Sequence, residues 1–213
     1  MLASMQLSAD DRSHREATTP IDPIETLRAE HRIIDRVLTA FGAWAREATH
    51  DDTDERAELG RFVRFFDRFV DRCHHAKEED ILFRALQRAD PRTGPLVHES
   101  FREQEDQRRL LEPLQELACR PRACWRADRD MLAASVRAFV ASVRAHLDAE
   151  EHVVFPAACS CIPADAMARV AAAFAAFEQA ENATGDHDRL RDLGQSLIDA
   201  HAPACEYVHR SAR

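Results

Sequence analysis

Two stretches of this 213-residue chain repeat one chemical pattern. His74-His75-Ala76-Lys77-Glu78-Glu79-Asp80-Ile81-Leu82-Phe83 and His146-Leu147-Asp148-Ala149-Glu150-Glu151-His152-Val153-Val154-Phe155 both read H-x-x-x-E-E-x-[IV]-[LV]-F, 72 residues apart. On a helix turning about 100° per residue, a histidine and a glutamate four positions apart lie about 40° from each other, so both side chains point the same way. In the second stretch both fall on the apolar seam. An ionised carboxylate buried there without a partner costs several kcal/mol. A bound metal pair removes that cost, because imidazole and carboxylate become ligands and the cations neutralise the acids. His74, Glu78, His146 and Glu150 are therefore read as metal ligands, with His31, a third histidine on an apolar seam, as a fifth. Singly, a seam histidine reads as a core residue bonded to a neighbour, and a lone H-x-x-x-E as a surface pair. The duplication together with His31 turns the balance toward metal.

The elements that must position these residues are helices. Asp22-Pro23-Ile24-Glu25 offers an N-cap, a proline at the first helical position and a capping-box glutamate. The stripe that follows, Leu27, His31, Ile34, Leu38, Phe41 and Ala45, steps by four and three, as the seam of a bundle helix does. Residues 50–58 are a linker with cap candidates from Asp51 to Asp54. A second helix runs to about Gln87 with Val63, Phe66, Val70, His74, Glu78, Ile81 and Ala85 inward. A loop at 89–95 leads to a third helix, about 95–118, facing inward with Val97, Phe101, Gln104, Arg108 and Leu111. An Arg-rich connection (119–130) precedes a fourth, with Leu132, Val136, Phe139, Val143, His146, Glu150 and Val153 inward, ended or kinked at Pro156. Two further helices, about 164–181 (Met167, Val170, Phe174 and Phe177 inward) and 187–200 (Leu190, Leu193, Leu197), cover one end or side. The fold expected is all-α, an antiparallel four-helix bundle over 21–160 with two additional C-terminal helices in 161–213. Residues 1–20 read as a disordered tail.

These motifs resemble the hemerythrin-like, or HHE cation-binding, family. The resemblance covers about residues 21–160 and rests on AEH at 29–31, CHHAKEEDILF at 73–83 and HLDAEEHVVFP at 146–156. It implies a four-helix bundle holding a non-haem di-iron centre, in which Glu78 and Glu150 bridge two iron ions and His31, His74 and His146 cap them. The ligand types alone admit manganese or zinc as well. Each imidazole is expected to lean on a further acceptor. The chain departs from the family at one point. A histidine expected on the third helix, within E-H-x-x-x-R, is replaced by Gln104 in Glu103-Gln104-Glu105-Asp106-Gln107-Arg108. Gln104 binds weakly, a water fills the place, or another residue substitutes; an open or water-filled position is the reading preferred here. His98 is a nearby alternative about 120° off the seam, and Glu103 and Glu105 lie about 100° off. His75 and Glu79 form a second H-x-x-x-E shifted by one residue, which the repeat alignment ranks below the pair at 74 and 78. Glu151 and His152 are read as supporting or surface residues.

Composition narrows the function. A net charge of −9 argues against a nucleic-acid partner, since phosphate contacts need a basic face. No run of about 18 apolar residues offers a membrane span, and the N-terminus has no apolar core of a secretory signal. The expected location is cytoplasmic, where the six cysteines are free thiols by default. A thiolate site from Cys119, Cys124, Cys159 and Cys161 fits no common zinc spacing, and Cys73 reads as core. The only lysine, Lys77, is either a cation beside the bridging acids or a solvated residue. His14, His50, His187, His201, His209 and Tyr207 are assigned no role. The leading expectation is a protein binding a small diatomic ligand, O2 or NO, as sensor, store or scavenger. The alternatives are a di-iron oxidoreductase turning over peroxide, NO or O2, and a degenerate metal site with a structural or partner-binding role.

Overall fold

A computed structural model describes residues 22–48, 55–120, 128–183 and 186–202. The expected tail at 1–20, the cap candidates Asp51 to Asp54, most of the Arg-rich connection, His14, His50, His209, Cys124, Cys205 and Tyr207 lie outside the described residues. Six helices account for nearly everything else. α1 is Pro23–Ala48. α2 is unbroken from Arg56 to Ala89, passing from α-helix (Arg56–Phe65) into π-helical Phe66–His75 and Glu78–Leu82 and back to α-helix at Phe83–Ala89. A 3-10 turn, Pro91–Thr93, leads to α3, Gly94–Cys119. α4 starts as Arg129–Ala149, widens into a π turn at Glu150–Val154 and continues through Phe155–Cys161. α5 is Ala164–Ala183 and α6 is Asp186–Ala200.

α1 begins where its sequence says it should. The Asp22 carboxylate accepts a 2.9 Å hydrogen bond from the Ile24 backbone N–H, and Pro23 fills the first helical position. The expected capping box is only half made, because Glu25 pairs with Arg28 instead of reaching back. α2 starts beside Glu55, which makes no side-chain cap and instead accepts from the Trp44 indole at 3.3 Å.

The four long helices pack antiparallel, and their apolar seams form two separate cores. One joins Ile34–Phe41 of α1, Phe62–Phe69 of α2, Leu111–Leu117 of α3 and Leu132–Val143 of α4. The other joins Ile24 and Leu27, Leu82–Leu86, Val97, and Val154–Ile162. α6 adds Leu190, Leu197 and Ile198 to the first core, and α5 adds Val170 and Phe174 to the second. α6 sits close enough to α2 that a Cβ on Gly194 would meet the Phe65 ring at 2.7 Å. Between the two cores lies a polar layer: Glu30 and His31, His74, His75, Lys77 and Glu78, Ser100, Gln104 and Gln107, and His146 with Glu150, all buried at points where apolar residues would be expected.

From Leu132 of α4 and Phe66 of α2 the seams agree with the sequence as far as the two glutamates and then slip; earlier in α2 the expected Val63 is half-buried beside fully buried Phe62 and Phe65. Leu132, Val136, Phe139, Val143, His146 and Glu150 are buried, but Val153 is 50% exposed and Val154 takes the inward place. In α2, Ile81 and Ala85 are half-buried, whereas Leu82 and Leu86 are fully buried. The cause is the same in both helices. The Phe83 N–H bonds back to the Glu78 carbonyl and the Phe155 N–H to the Glu150 carbonyl, five residues each. Such a wide turn adds one residue and advances the seam by one. It also lets α4 run past Pro156 to Cys161, where the sequence suggests an end or kink. On α3 the true seam is Val97, Ser100, Gln104, Gln107 and Leu111, so Phe101 and Arg108 are displaced by one position to the flank. Polar Ser100 and Gln107 do not announce themselves as inward.

The slip is open to test. Val154→Ala should cost about 1–3 kcal/mol of unfolding free energy. Val153→Ala should stay within about 0.5 kcal/mol of the wild type. Denaturant titration of the two variants reads the difference.

Candidate metal centre

The polar layer brings five candidates from the sequence together. One atom each of His31, His74, Glu78 and Glu150 lies within 4.8 Å of the others, and all four residues are buried. A second group, His75, Glu78 and His146, meets the same criterion and shares Glu78 with the first. Glu150 Oε1 stands 3.3 Å from His146 Nε2, so this carboxylate too faces both groups. His75 therefore joins the cluster, against the preference for the pair at 74 and 78 alone. Consecutive histidines face two adjacent groups instead of one. Glu79 is not brought in: it accepts from Arg108 at 2.6 Å. His98 is exposed and belongs to neither group.

His31, His74 and His146 are each held from behind by a hydrogen-bonded carboxylate, His75 is not, and all four are open in front. His74 Nδ1 meets Glu30 at 2.9 Å, His146 Nδ1 meets Glu103 at 2.8 Å, and His31 Nδ1 meets Glu151 at 3.0 Å. His75 Nδ1 stands 3.5 Å from Asp71. A carboxylate behind Nδ1 fixes the proton there and presents the Nε2 lone pair forward. All four Nε2 atoms, with Glu78 Oε1 and both Glu150 oxygens, are buried without a hydrogen-bond partner. An unmet buried polar atom costs about 1–3 kcal/mol, and together these rival the stability of a whole domain. The Nε2-to-carboxylate spacings, 3.3, 3.4 and 3.3 Å for His31–Glu150, His74–Glu78 and His146–Glu150, are long for hydrogen bonds. They suit two ligands on one cation: bonds of about 2.1 Å at a tetrahedral angle set ligand atoms about 3.4 Å apart. The donor set fits a pair of divalent metal ions.

Gln104 is fully buried at the seam, and its amide donates to Glu78 Oε2 at 2.9 Å while its Oε1 has no partner. It steadies the shared carboxylate in the place where an imidazole was expected. Internal symmetry explains the exchange. Glu30 backs His74 as Glu103 backs His146, so α1–α2 and α3–α4 are two copies of one hairpin. In that alignment His31 corresponds to Gln104 and Glu151 to Glu79, while His75 corresponds to Leu147. The second copy lacks one imidazole, and His75 enters the layer beside the gap. Glu30, Glu103 and Asp71 are the residues that seam reasoning passed over. The signal available was a carboxylate beside each seam position, at 30 beside His31 and at 103 beside Gln104.

Charge in the layer follows from burial. Desolvation drives His74 well below the usual 6.5, with the neighbouring imidazoles adding to it, and also lowers His75. His146 is desolvated as well, but Glu150 and Glu103 outweigh this and hold it above its ordinary value. Glu78 is pushed well above the ordinary carboxylate range by burial and by the facing Glu150. Glu150 is also desolvated, yet His146 and His31 hold it below that range. The two facing acids are thus pushed apart, Glu78 toward the protonated form and Glu150 toward the ionised one.

Lys77 is not solvated. It is fully buried, bonded to Glu30 and, at 3.2 Å, to Glu178 of α5, with the Phe174 ring 5.8 Å away. His187, expected on a polar face, is buried too and lies with Glu30 and Glu178. His201 meets Glu58 at 2.7 Å. Among the described residues Cys73, Cys119, Cys159 and Cys161 are free thiols in no metal-ligating group, and burial pushes Cys73 up to about 12. Glu151 also takes an Arg28 hydrogen bond at 3.0 Å, and His152 is exposed.

Residues 22–158 match the Hemerythrin HHE cation binding domain, and the chain belongs to that family. It is a metal-binding fold with its His and Glu groups in place. Similar chains include uncharacterized proteins of Mycobacterium bovis and Mycobacterium tuberculosis, each 27% identical over 186 residues, covering 86% of this chain and 69% of the relative. No solved structure matches the chain. No described helix is long and apolar enough to cross a membrane.

Two outcomes are expected. Lys77→Met leaves Glu30 and Glu178 without their cation and should destabilise the fold by about 3–5 kcal/mol, read by denaturant unfolding. Metal must displace the proton that Glu78 holds and the one that His146 retains, so loading a divalent ion near neutral pH should release protons, and affinity should weaken as pH falls. Calorimetry in buffers of different ionisation enthalpy measures the release, and Glu78→Gln should reduce it.

Proposed function

We propose that the chain holds two iron ions between Glu78 and Glu150 and binds a small diatomic ligand, O2 or NO, as a cytoplasmic sensor, store or scavenger. His31 and His74 serve one ion, and His75 and His146 the other. The observation that carries this reading is the convergence of four partnerless Nε2 atoms on two facing buried carboxylates. Iron and the diatomic ligand are supported by membership of the hemerythrin family. Bound there, reduced iron supplies electrons and a vacant coordination place for the ligand.

The protein's own part is to hold that place dry and fixed. Ile34, Phe66 and Val143, each at most 1% exposed, wall the layer on the side of the first core. Phe155 stacks on His31 with ring centres 5.2 Å apart and closes the other side. Carboxylates behind His31, His74 and His146 keep their Nε2 atoms aimed inward, so little reorganisation accompanies ligand arrival there. Gln104 keeps Glu78 in position without adding a third imidazole.

Metal analysis with the visible spectrum of the oxidised protein tests the proposal. About two irons per chain and the absorption of a bridged ferric pair are expected. Less than about half an equivalent of any transition metal would refute it. Glu78→Ala and Glu150→Ala should each remove most of the metal. Gln104→His should keep the metal but slow the reaction with O2 or NO in stopped flow, because an imidazole takes the vacant place. A stable adduct that dissociates on lowering O2 marks carriage; rapid turnover with product marks an enzyme instead.

A further inference from the structure

Beside the second group of ligands lies a cavity of about 200 Å³ that the metal reading does not use. His75 forms part of its wall, and Phe66, Val70, Leu111 and Phe139 supply apolar sides. It leads outward past Asp67 and Gln115, both half-buried, to exposed Glu112. Its odd member is Gln107. This side chain is 3% exposed, lines the cavity, and leaves both amide atoms without a hydrogen-bond partner. A buried amide that neither donates nor accepts opposes folding and needs a reason. No group among the described residues supplies one.

We infer that this cavity is a binding site for a neutral, single-ring aromatic molecule whose polar head both donates and accepts a hydrogen bond. Size sets the first term: a dry cavity of about 150 Å³ holds benzene, so this one has room for a ring and a small substituent. The walls set the second, because Phe66 and Phe139 offer ring faces and edges to an aromatic body. Gln107 sets the third, since an amide is matched by a group presenting one acceptor and one donor. Charge sets the last. Asp67, Asp71 and Glu112 line the approach, and the Arg108 guanidinium is already taken by Asp71 at 2.7 Å and Glu79 at 2.6 Å, which disfavours an anion. A molecule seated there places itself beside His75, one side chain from the metal layer. Such a site goes beyond the diatomic-ligand proposal and does not depend on which metal the layer holds.

Benzamide, with benzoate as its anionic counterpart, tests the inference on the full-length metal-loaded protein by calorimetry. Benzamide should bind with a Kd below about 10 mM, and benzoate about tenfold or more weaker. Gln107→Leu should weaken benzamide about tenfold or more and raise Tm, because two unmet polar atoms are removed. Leu111→Trp, which fills the cavity, should abolish binding. The inference is overturned by absence of benzamide binding to the wild type, by equal binding of benzoate, by binding that survives both substitutions, or by a lower Tm in Gln107→Leu. Loading with zinc in place of iron should leave benzamide binding unchanged, which separates this result from the fate of the iron assignment.

Discussion

Two carboxylates, Glu78 and Glu150, face each other in a layer that water does not reach, and most of the structure can be understood as an answer to that repulsion. Neither acid has a lysine or arginine hydrogen-bonded to it among the described residues. Lys77, the buried lysine nearby, is committed to Glu30 and Glu178. The remaining neighbours are imidazoles whose front nitrogens have nothing to bond to. Removing one acid leaves the rest unmatched, and supplying divalent charge satisfies all of them at once.

The constraint reaches outward through the groups behind the imidazoles. Glu30 on α1 holds His74 on α2, Glu151 on α4 holds His31 on α1, and Glu103 on α3 holds His146 on α4. Every one of these bonds joins two helices, so the aim of a ligand and the packing of the bundle are set by the same contacts. Glu30 extends this further, since it shares Lys77 with Glu178 and thereby ties α5 to His74. The C-terminal helices are thus packed onto the polar layer as well as onto the two apolar cores.

Much of this was legible in the sequence, and for a definite reason. A histidine and a glutamate four residues apart, repeated 72 residues later on an apolar stripe, fix helix phase and chemistry together. The helices, their order and the placing of His31, His74, Glu78, His146 and Glu150 in one layer follow from that phase. What escaped the sequence is what breaks constant phase. The wide turns after Glu78 and Glu150 depend on a backbone hydrogen bond that no residue type announces, and they move the seam from Val153 to Val154. Gln107 and Ser100 were hidden because polar residues do not mark an apolar face. His75 was ranked low because the alignment assumed one histidine per turn, whereas two metal positions can use neighbours.

The inequivalence of the two hairpins gives the layer a direction. On the His31 side an aromatic lid from Phe155 lies flat on the imidazole. On the His75 side lies a hollow whose lining runs from His75 to exposed Glu112. A molecule in that hollow meets His75 and none of His31, His74 and His146, so the two halves of a nearly symmetric centre differ in their surroundings: one borders a threshold, the other is interior.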